Sequence, residues 1–144
     1  NDFERKAAIY LMKDKGHKML GVGDDGVRRV LNIPKQSEPY KTNGLAPDFL
    51  SVTTEQKIAI SEVKGVISAA GEVDTAHAVN QLRNAMEKMV EKKRVMDVET
   101  VQFIKPKEAK LKGDYTIVDG FLHSHGEPVA MPGRPDLFVR VVEL

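Results

Sequence analysis

Two acidic residues and one lysine stand at the ends of two neighbouring β-rich segments. Asp48 begins the first segment, and Glu62-Val63-Lys64 ends the second. Because side chains alternate along a strand, Glu62 and Lys64 lie on the same face, and a short turn between the segments brings Asp48 alongside them. We therefore expect two carboxylates and one ammonium group to converge at one end of a β-hairpin.

These groups suit the hydrolysis of phosphodiester bonds. Mg²⁺ and Mn²⁺ prefer oxygen ligands and usually bind one or two carboxylates together with water and substrate phosphate. Asp48, Glu62 and the backbone carbonyl of Val63 supply such oxygens, and Zn²⁺ is a further candidate ion. A bound cation lowers the pKa of a water ligand, and Lys64 could orient that water or stabilise the transition state. The residues therefore predict a metal-dependent nuclease with Asp48, Glu62 and Lys64 as its catalytic residues.

Three other interpretations stay open. The same three charged residues could form a surface ion-pair cluster, worth about 1 kcal/mol or less. His123 and His125 could act as general base and acid in metal-free RNA cleavage, or they could form a loop tip or a transition-metal pair. The segment 115–131 could offer a strand edge to a partner sheet, so that the chain would be a binding module without catalysis.

The first part of the chain predicts a helix, a hairpin and a loop. Apolar residues from Phe3 to Leu11 follow helical spacing, and Gly16 stands where a left-handed cap would end the helix. Residues 18–33 contain two strand-like runs around the turn sequence Gly-Asp-Asp-Gly, which predicts a hairpin. Residues 34–46 are mostly polar and include two prolines and a glycine, which predicts a surface loop.

The elements after the acidic hairpin follow a helix-then-strand order. Apolar residues recur at helical spacing from Val79 to Val90, and Asp74 stands at the expected N-cap. Residues 95–104 predict a strand that a helical crossover would lay beside the hairpin. We therefore predict a single domain of α/β (α+β) class, with a mixed central β-sheet flanked by helices. Residues 1–104 form its core, and 105–144 form a β-rich C-terminal extension.

Composition excludes several classes of protein. The chain has no cysteine, which excludes disulfides, zinc–thiolate sites and cysteine nucleophiles. No apolar run approaches the roughly 20 residues that a membrane-spanning helix needs, so we expect no membrane span. The net charge is only +1, but lysines and arginines cluster at 88–94 and at 105–112. These clusters could hold a phosphate backbone, or they could be ordinary solvated faces.

The placement of Pro47-Asp48 and Glu62-Val63-Lys64 resembles the PD-(D/E)xK signature of the restriction-endonuclease-like superfamily. A helix, a hairpin that carries the motif, a second helix and a further strand are in the order of that fold over residues 2–104. The stretches 15–21, 28–34 and 46–65 look like the C-terminal nuclease toxin domains of contact-dependent growth inhibition and hemagglutinin-type proteins. The resemblance therefore implies a mixed sheet flanked by helices and metal-dependent cleavage of nucleic acid.

The resemblance also implies roles for residues outside the motif. Members of this fold often add a glutamate from the first helix and a polar residue from the helix after the motif, and Glu4 and Gln81 are the candidates here. Glu4 would be a further metal ligand, although its place near a helix start is equally explained by the helix dipole. His77, Gln81 and Lys88 share one stripe of the second helix and could bind substrate, although every amphipathic helix has a wet face.

Toxin domains of this kind are cleaved from large exported surface proteins, enter the cytoplasm of a target bacterium and are neutralised by a cognate immunity protein. The missing initial methionine agrees with a module cut from a longer polypeptide. We therefore expect the same route of delivery and an immunity partner, with the chain otherwise monomeric. DNA is the favoured substrate because the superfamily more often cleaves DNA, and transfer RNA is the alternative at the same site.

Overall fold

The computed structural model describes residues 2–32 and 46–144. The helices are α1 (Asp2–Ile9), which a π-helical turn at Tyr10–Asp14 continues, α2 (Gly23–Leu31) and α3 (Thr75–Glu91), and a 3₁₀ turn spans Val95–Asp97. The strands are β1 (Lys18–Val22), β2 (Phe49–Val52), β3 (Ile58–Val63), β4 (Glu72–Val73), β5 (Val98–Lys105), β6 (Lys110–Leu111), β7 (Tyr115–Val118), β8 (Phe121–Ser124), β9 (Glu127–Pro128), β10 (Ala130–Met131) and β11 (Arg134–Glu143).

Most of the strands form one mixed sheet. Its order is β1-β2-β3-β5-β11-β8-β7, with β10 paired to β11 and β9 paired to β8. The central pairs β3·β5 and β5·β11 are parallel, and their neighbours on both sides are antiparallel. A separate small sheet pairs β4 with β6. The predicted class, an α+β fold with a mixed sheet, helices and a β-rich C-terminal region, is confirmed.

Helices cover both faces of the motif-bearing strand β3. Ile60 belongs to a large core cluster with Leu82 of α3 and Val27 of α2, whereas Val63 belongs to a second cluster with Ala7 of α1. Strands buried on both faces are typical of the parallel part of a sheet. The end of β3 therefore lies between two helical layers, which limits the hydration of the residues placed there.

The predicted hairpin over residues 18–33 is wrong in its second half. Residues 23–31 form α2, and β1 pairs with β2 instead. Val27 and Leu31 are four residues apart, and both are almost completely buried on one helical face. The helix ends at Asn32, whose φ of 58° is left-handed. The loop predicted for 34–46 lies outside the described residues apart from Ala46.

The other elements around the motif agree with prediction. Strands β2 and β3 form an antiparallel pair, and β5 returns parallel to β3 after the α3 crossover. Asp74 is the N-cap of α3, because its Oδ1 accepts a hydrogen bond from the backbone amide of His77 at 3.2 Å. Gly16 follows the first helical segment with a φ of 69°.

None of the helices has the character of a membrane span. The longest in the described part of the chain, α3, has 17 residues and carries charged side chains on its exposed face. Within residues 2–32 and 46–144, no helix is both long and apolar enough to cross a bilayer.

Replacement of Gly65 by alanine should destabilise the fold. An added Cβ at Gly65 would lie 2.7 Å from the Cβ of Phe3, which is fixed to the backbone of α1 and cannot swing away. We expect the free energy of unfolding to fall by about 1–3 kcal/mol, the usual cost of overpacking. Urea denaturation measures the change.

Gly26→Ala is the matched control for this substitution. An added Cβ at Gly26 meets nothing closer than 3.8 Å, and the residue lies within α2. Alanine has the higher helix propensity, so this variant should be as stable as the wild type or more stable. A Gly65→Ala variant as stable as Gly26→Ala would show that α1 does not pack closely against residue 65.

Candidate active site

The carboxylates of Asp48 and Glu62 each accept a hydrogen bond from a backbone amide on the neighbouring segment. Asp48 immediately precedes β2, and the pairing of Phe49 with Ser61 places it beside the end of β3. The backbone amide of Val63 donates to Asp48 Oδ2 at 2.8 Å, and the amide of Asp48 donates to Glu62 Oε1 at 3.1 Å. Each carboxylate is therefore oriented by the backbone of the other strand.

Glu62 is an acidic side chain in the protein interior. Only 3% of it is exposed, and it lies on the same face of β3 as the core residue Ile60. Burial foremost, and then the hydrogen bond and negative charge of Asp48, raise the pKa of Glu62 from 4.5 to about 10, against the opposing effects of the Lys64 ammonium and the Asp48 amide. The pair of carboxylates therefore needs a proton or a cation between them.

Lys64 is the third of the predicted catalytic residues. It directly follows β3, and its amide donates to the carbonyl of Ile104 at 3.0 Å, so its backbone is fixed against β5. Its Nζ lies 3.5 Å from Glu62 Oε2 and also contacts Nδ1 of His77. The structure therefore brings Asp48, Glu62 and Lys64 to one point.

A cleft of about 660 Å³ opens beside these residues. The residues that line it are Glu4, Ala46, Asp48, Glu62, Val63, Lys64, Gly65, Val66, Ser68, Glu72, Asp74, Gln81 and Lys112. Glu4 reaches it from α1 and Gln81 from α3, on opposite faces of the sheet. The cleft thus lies where the carboxyl end of the interior strand β3 meets two helices.

The additional residues predicted from the sequence divide into two groups. Glu4, Val63 and Gln81 line the cleft, and Gln81 is buried with its Nε2 donating to the carbonyl of Ala46 at 2.9 Å. His77 contacts Lys64 and is not a lining residue. Lys88, also predicted to bind substrate, forms an ion pair with Glu91 at 3.1 Å and is not brought to the cleft.

Lys112 is a cleft residue that the motif did not indicate. It follows β6, and its amide donates to the carbonyl of Val73 in the neighbouring strand β4 at 3.1 Å. Its side chain is exposed in the cleft wall. The sequence indicated a basic cluster at 105–112 but not which of its lysines would face a cleft. Lys105 belongs to the same cluster, yet it is 1% exposed and donates to Glu143 Oε2 at 2.7 Å.

The two histidines of the alternative interpretation have different partners. Nδ1 of His123 lies 3.2 Å from the carbonyl of Phe121, and Nδ1 of His125 lies 2.6 Å from Asp114 Oδ2 in an exposed turn. Neither ring lines the cleft at Asp48. The metal-free proposal would therefore need a site separate from this cleft.

The oxygen atoms at the end of β3 fit a hard divalent cation. The carboxylates of Asp48 and Glu62 are adjacent, Glu62 is buried and Asp48 is partly buried, and the carbonyl of Val63 is the third candidate ligand. In the described parts of the chain, no group of three or more His, Cys, Asp or Glu side chains is arranged to hold a metal ion. Few protein ligands, completed by water and phosphate, are typical of Mg²⁺ sites.

The burial of Glu62 predicts how the stability of the fold depends on pH. Folded Glu62 keeps a proton that the unfolded chain releases above its ordinary pKa of 4.5, so rising pH destabilises the metal-free protein toward pH 10. Between pH 5 and 9, we expect the free energy of unfolding to fall more steeply for wild type than for Glu62→Gln, by up to about 1 kcal/mol per pH unit. Denaturation in the presence of a chelator measures both slopes.

Glu127→Gln provides the control, because it makes the same chemical change at an exposed carboxylate. Its slope should match that of wild type. Added Mn²⁺ should stabilise wild type more at high pH, since the ion competes with the proton for Glu62. Equal slopes for wild type and Glu62→Gln would contradict a buried, protonated Glu62.

Comparisons with protein-family models, with curated proteins and with solved structures each found no match to this chain. The likeness to growth-inhibition toxin domains therefore rests on the sequence stretches 15–21, 28–34 and 46–65.

Proposed function

We propose that this chain is a metal-dependent endonuclease that hydrolyses phosphodiester bonds of DNA. The supporting observation is the meeting of Asp48, Glu62 and Lys64 at one point of a cleft, with Glu62 buried and hydrogen bonded to the backbone of Asp48. A surface ion-pair cluster would not place a glutamate in the core, since burial of an unpaired carboxylate is costly. Transfer RNA remains the alternative substrate of the same site.

Each residue has a role that its surroundings support. Asp48 and Glu62 would hold Mg²⁺ or Mn²⁺, which when bound neutralises phosphate charge and lowers the pKa of a water ligand. The Val63 amide fixes one oxygen of Asp48 beside Glu62, so that both carboxylates face the same point. Lys64 presents a positive charge to the cleft beside the carboxylates, where it can stabilise negative charge that develops at phosphorus.

We further propose a toxin role, with delivery to the cytoplasm of a rival bacterium and an immunity protein as partner. This part rests on the motif resemblance alone. Inhibition of growth by expression of the chain in bacteria, relieved by Glu62→Gln, would support it.

Nuclease assays test the proposed activity. Purified chain should cut plasmid DNA in Mg²⁺ or Mn²⁺, and a chelator should abolish cutting. Glu62→Gln and Asp48→Ala remove a ligand, and Lys64→Met removes the positive charge, so each should lower kcat/KM by about 100-fold or more. Parallel reactions with total transfer RNA decide between the two substrates.

Calorimetric titration of Mn²⁺ separates metal binding from chemistry. Wild type should bind the ion and Asp48→Ala should bind it weakly, whereas Lys64→Met should keep most of the affinity because Lys64 is not a ligand. Cleavage that persists in chelator and survives Glu62→Gln would reject the proposal and favour the histidine pair.

Lys112 should contribute to substrate binding through a phosphate contact. Loss of one such contact raises KM and lowers the slope of log affinity against log salt by about 1. We expect both changes for Lys112→Ala. Lys88→Ala is the matched control, because that lysine pairs with Glu91 and does not line the cleft. Identical behaviour of the two variants would place the bound backbone elsewhere.

A further inference from the structure

We propose that His77 is a positioning residue that holds the Lys64 ammonium in its productive orientation. The inference rests on the proposed nuclease function. It is carried by a single contact, between His77 Nδ1 and Lys64 Nζ. The sequence pattern placed His77 on a polar helix stripe as a substrate contact, whereas the structure gives it a partner within the protein.

The backbone of His77 is fixed before its side chain makes this contact. His77 lies in the first turn of α3, and its amide donates to the N-cap carboxylate of Asp74 at 3.2 Å. The cap of α3 therefore fixes the backbone of the residue whose ring contacts Lys64. The four-carbon side chain of Lys64 is flexible, so a fixed partner such as the His77 ring can set the position of its ammonium group.

The contact determines which imidazole nitrogen carries a proton. An ammonium group only donates hydrogen bonds, so Nδ1 of His77 must accept, and a neutral ring must carry its proton on Nε2. One of the three N–H groups of Lys64 is then committed to His77. The other two are available to the cleft and to Glu62.

His77 also limits the pairing of Lys64 with Glu62. Direct ammonium–carboxylate hydrogen bonds are usually about 2.7–2.9 Å long, whereas Nζ lies 3.5 Å from Glu62 Oε2. The ring draws the ammonium away from the carboxylate. Without it, we expect Lys64 to close onto Glu62, neutralise the metal ligand and withdraw from the reacting phosphate.

Two isosteric substitutions test this role. In His77→Asn, Oδ1 lies the same number of bonds from Cα as Nδ1 of histidine and can accept from Lys64. His77→Leu has a similar branched shape but no acceptor. At saturating Mn²⁺, kcat should fall by about 10- to 100-fold in His77→Leu, since misplaced catalytic groups cost about that much. We expect KM to be unchanged and His77→Asn to recover most of the rate.

Equal losses in both variants, or an unaffected His77→Leu, would overturn the positioning role. Thermal melts of the two variants show whether a fall in kcat reflects unfolding instead. The kinetic comparison is valid when both variants have the same melting temperature. Nitrogen-15 NMR of the imidazole gives a readout besides activity. Wild type should show the proton on Nε2, and Lys64→Met should shift the Nδ1 resonance.

The two proposals fail in different ways. If wild type cuts no nucleic acid with any metal, the nuclease proposal fails and the catalytic part of this one fails with it. The NMR experiment still decides whether the His77–Lys64 contact exists. A ring protonated on Nδ1 would contradict the contact even in an active enzyme.

Discussion

The burial of the Glu62 carboxylate directly beside that of Asp48 is the constraint around which this end of the molecule is organised. A buried carboxylate loses its hydration and is repelled by a neighbouring carboxylate, so the pair needs fixed hydrogen-bond donors and either a proton or a cation. The hydrogen bonds between Val63 and Asp48 and between Asp48 and Glu62 supply the donors. The Lys64 ammonium lies 3.5 Å from Glu62 Oε2 and neutralises part of the negative charge of the pair. A divalent ion could neutralise the rest.

The layered architecture creates this situation. Strand β3 has helices on both faces, so its last residues cannot turn to solvent as they would at the open edge of a sheet. The buried amide of Gln81 ties α3 to Ala46, which lies two residues before Asp48. On the other face, the absence of a side chain at Gly65 lets Phe3 approach and brings the start of α1, with Glu4, to the cleft.

The sequence predicted those parts of the fold that depend on neighbouring residues alone, such as side-chain alternation along a strand and the cap of a helix. The alternation along β3 placed Glu62 and Lys64 on one face, and the cap at Asp74 and the apolar spacing predicted α3. The prediction of a strand at 27–33 was wrong because the spacing of Val27 and Leu31 is compatible with both the strand repeat and the helical repeat. Both side chains are buried on one face of the helix that forms instead. The helical stripe could not separate His77 from Lys88, because their difference arises from tertiary contacts with Lys64 and Glu91.

The position of β11 in the sheet order has a consequence for how the chain acquires its structure. This strand lies between β5 and β8, and it supplies Glu143, which neutralises the ammonium of Lys105 in the interior. Until residues 134–143 arrive, β5 has an open hydrogen-bonding edge and Lys105 has an uncompensated charge. A chain that emerges from a ribosome therefore cannot complete the parallel pair of β5 with β11 until these late residues follow. Such long-range pairing is slow to form.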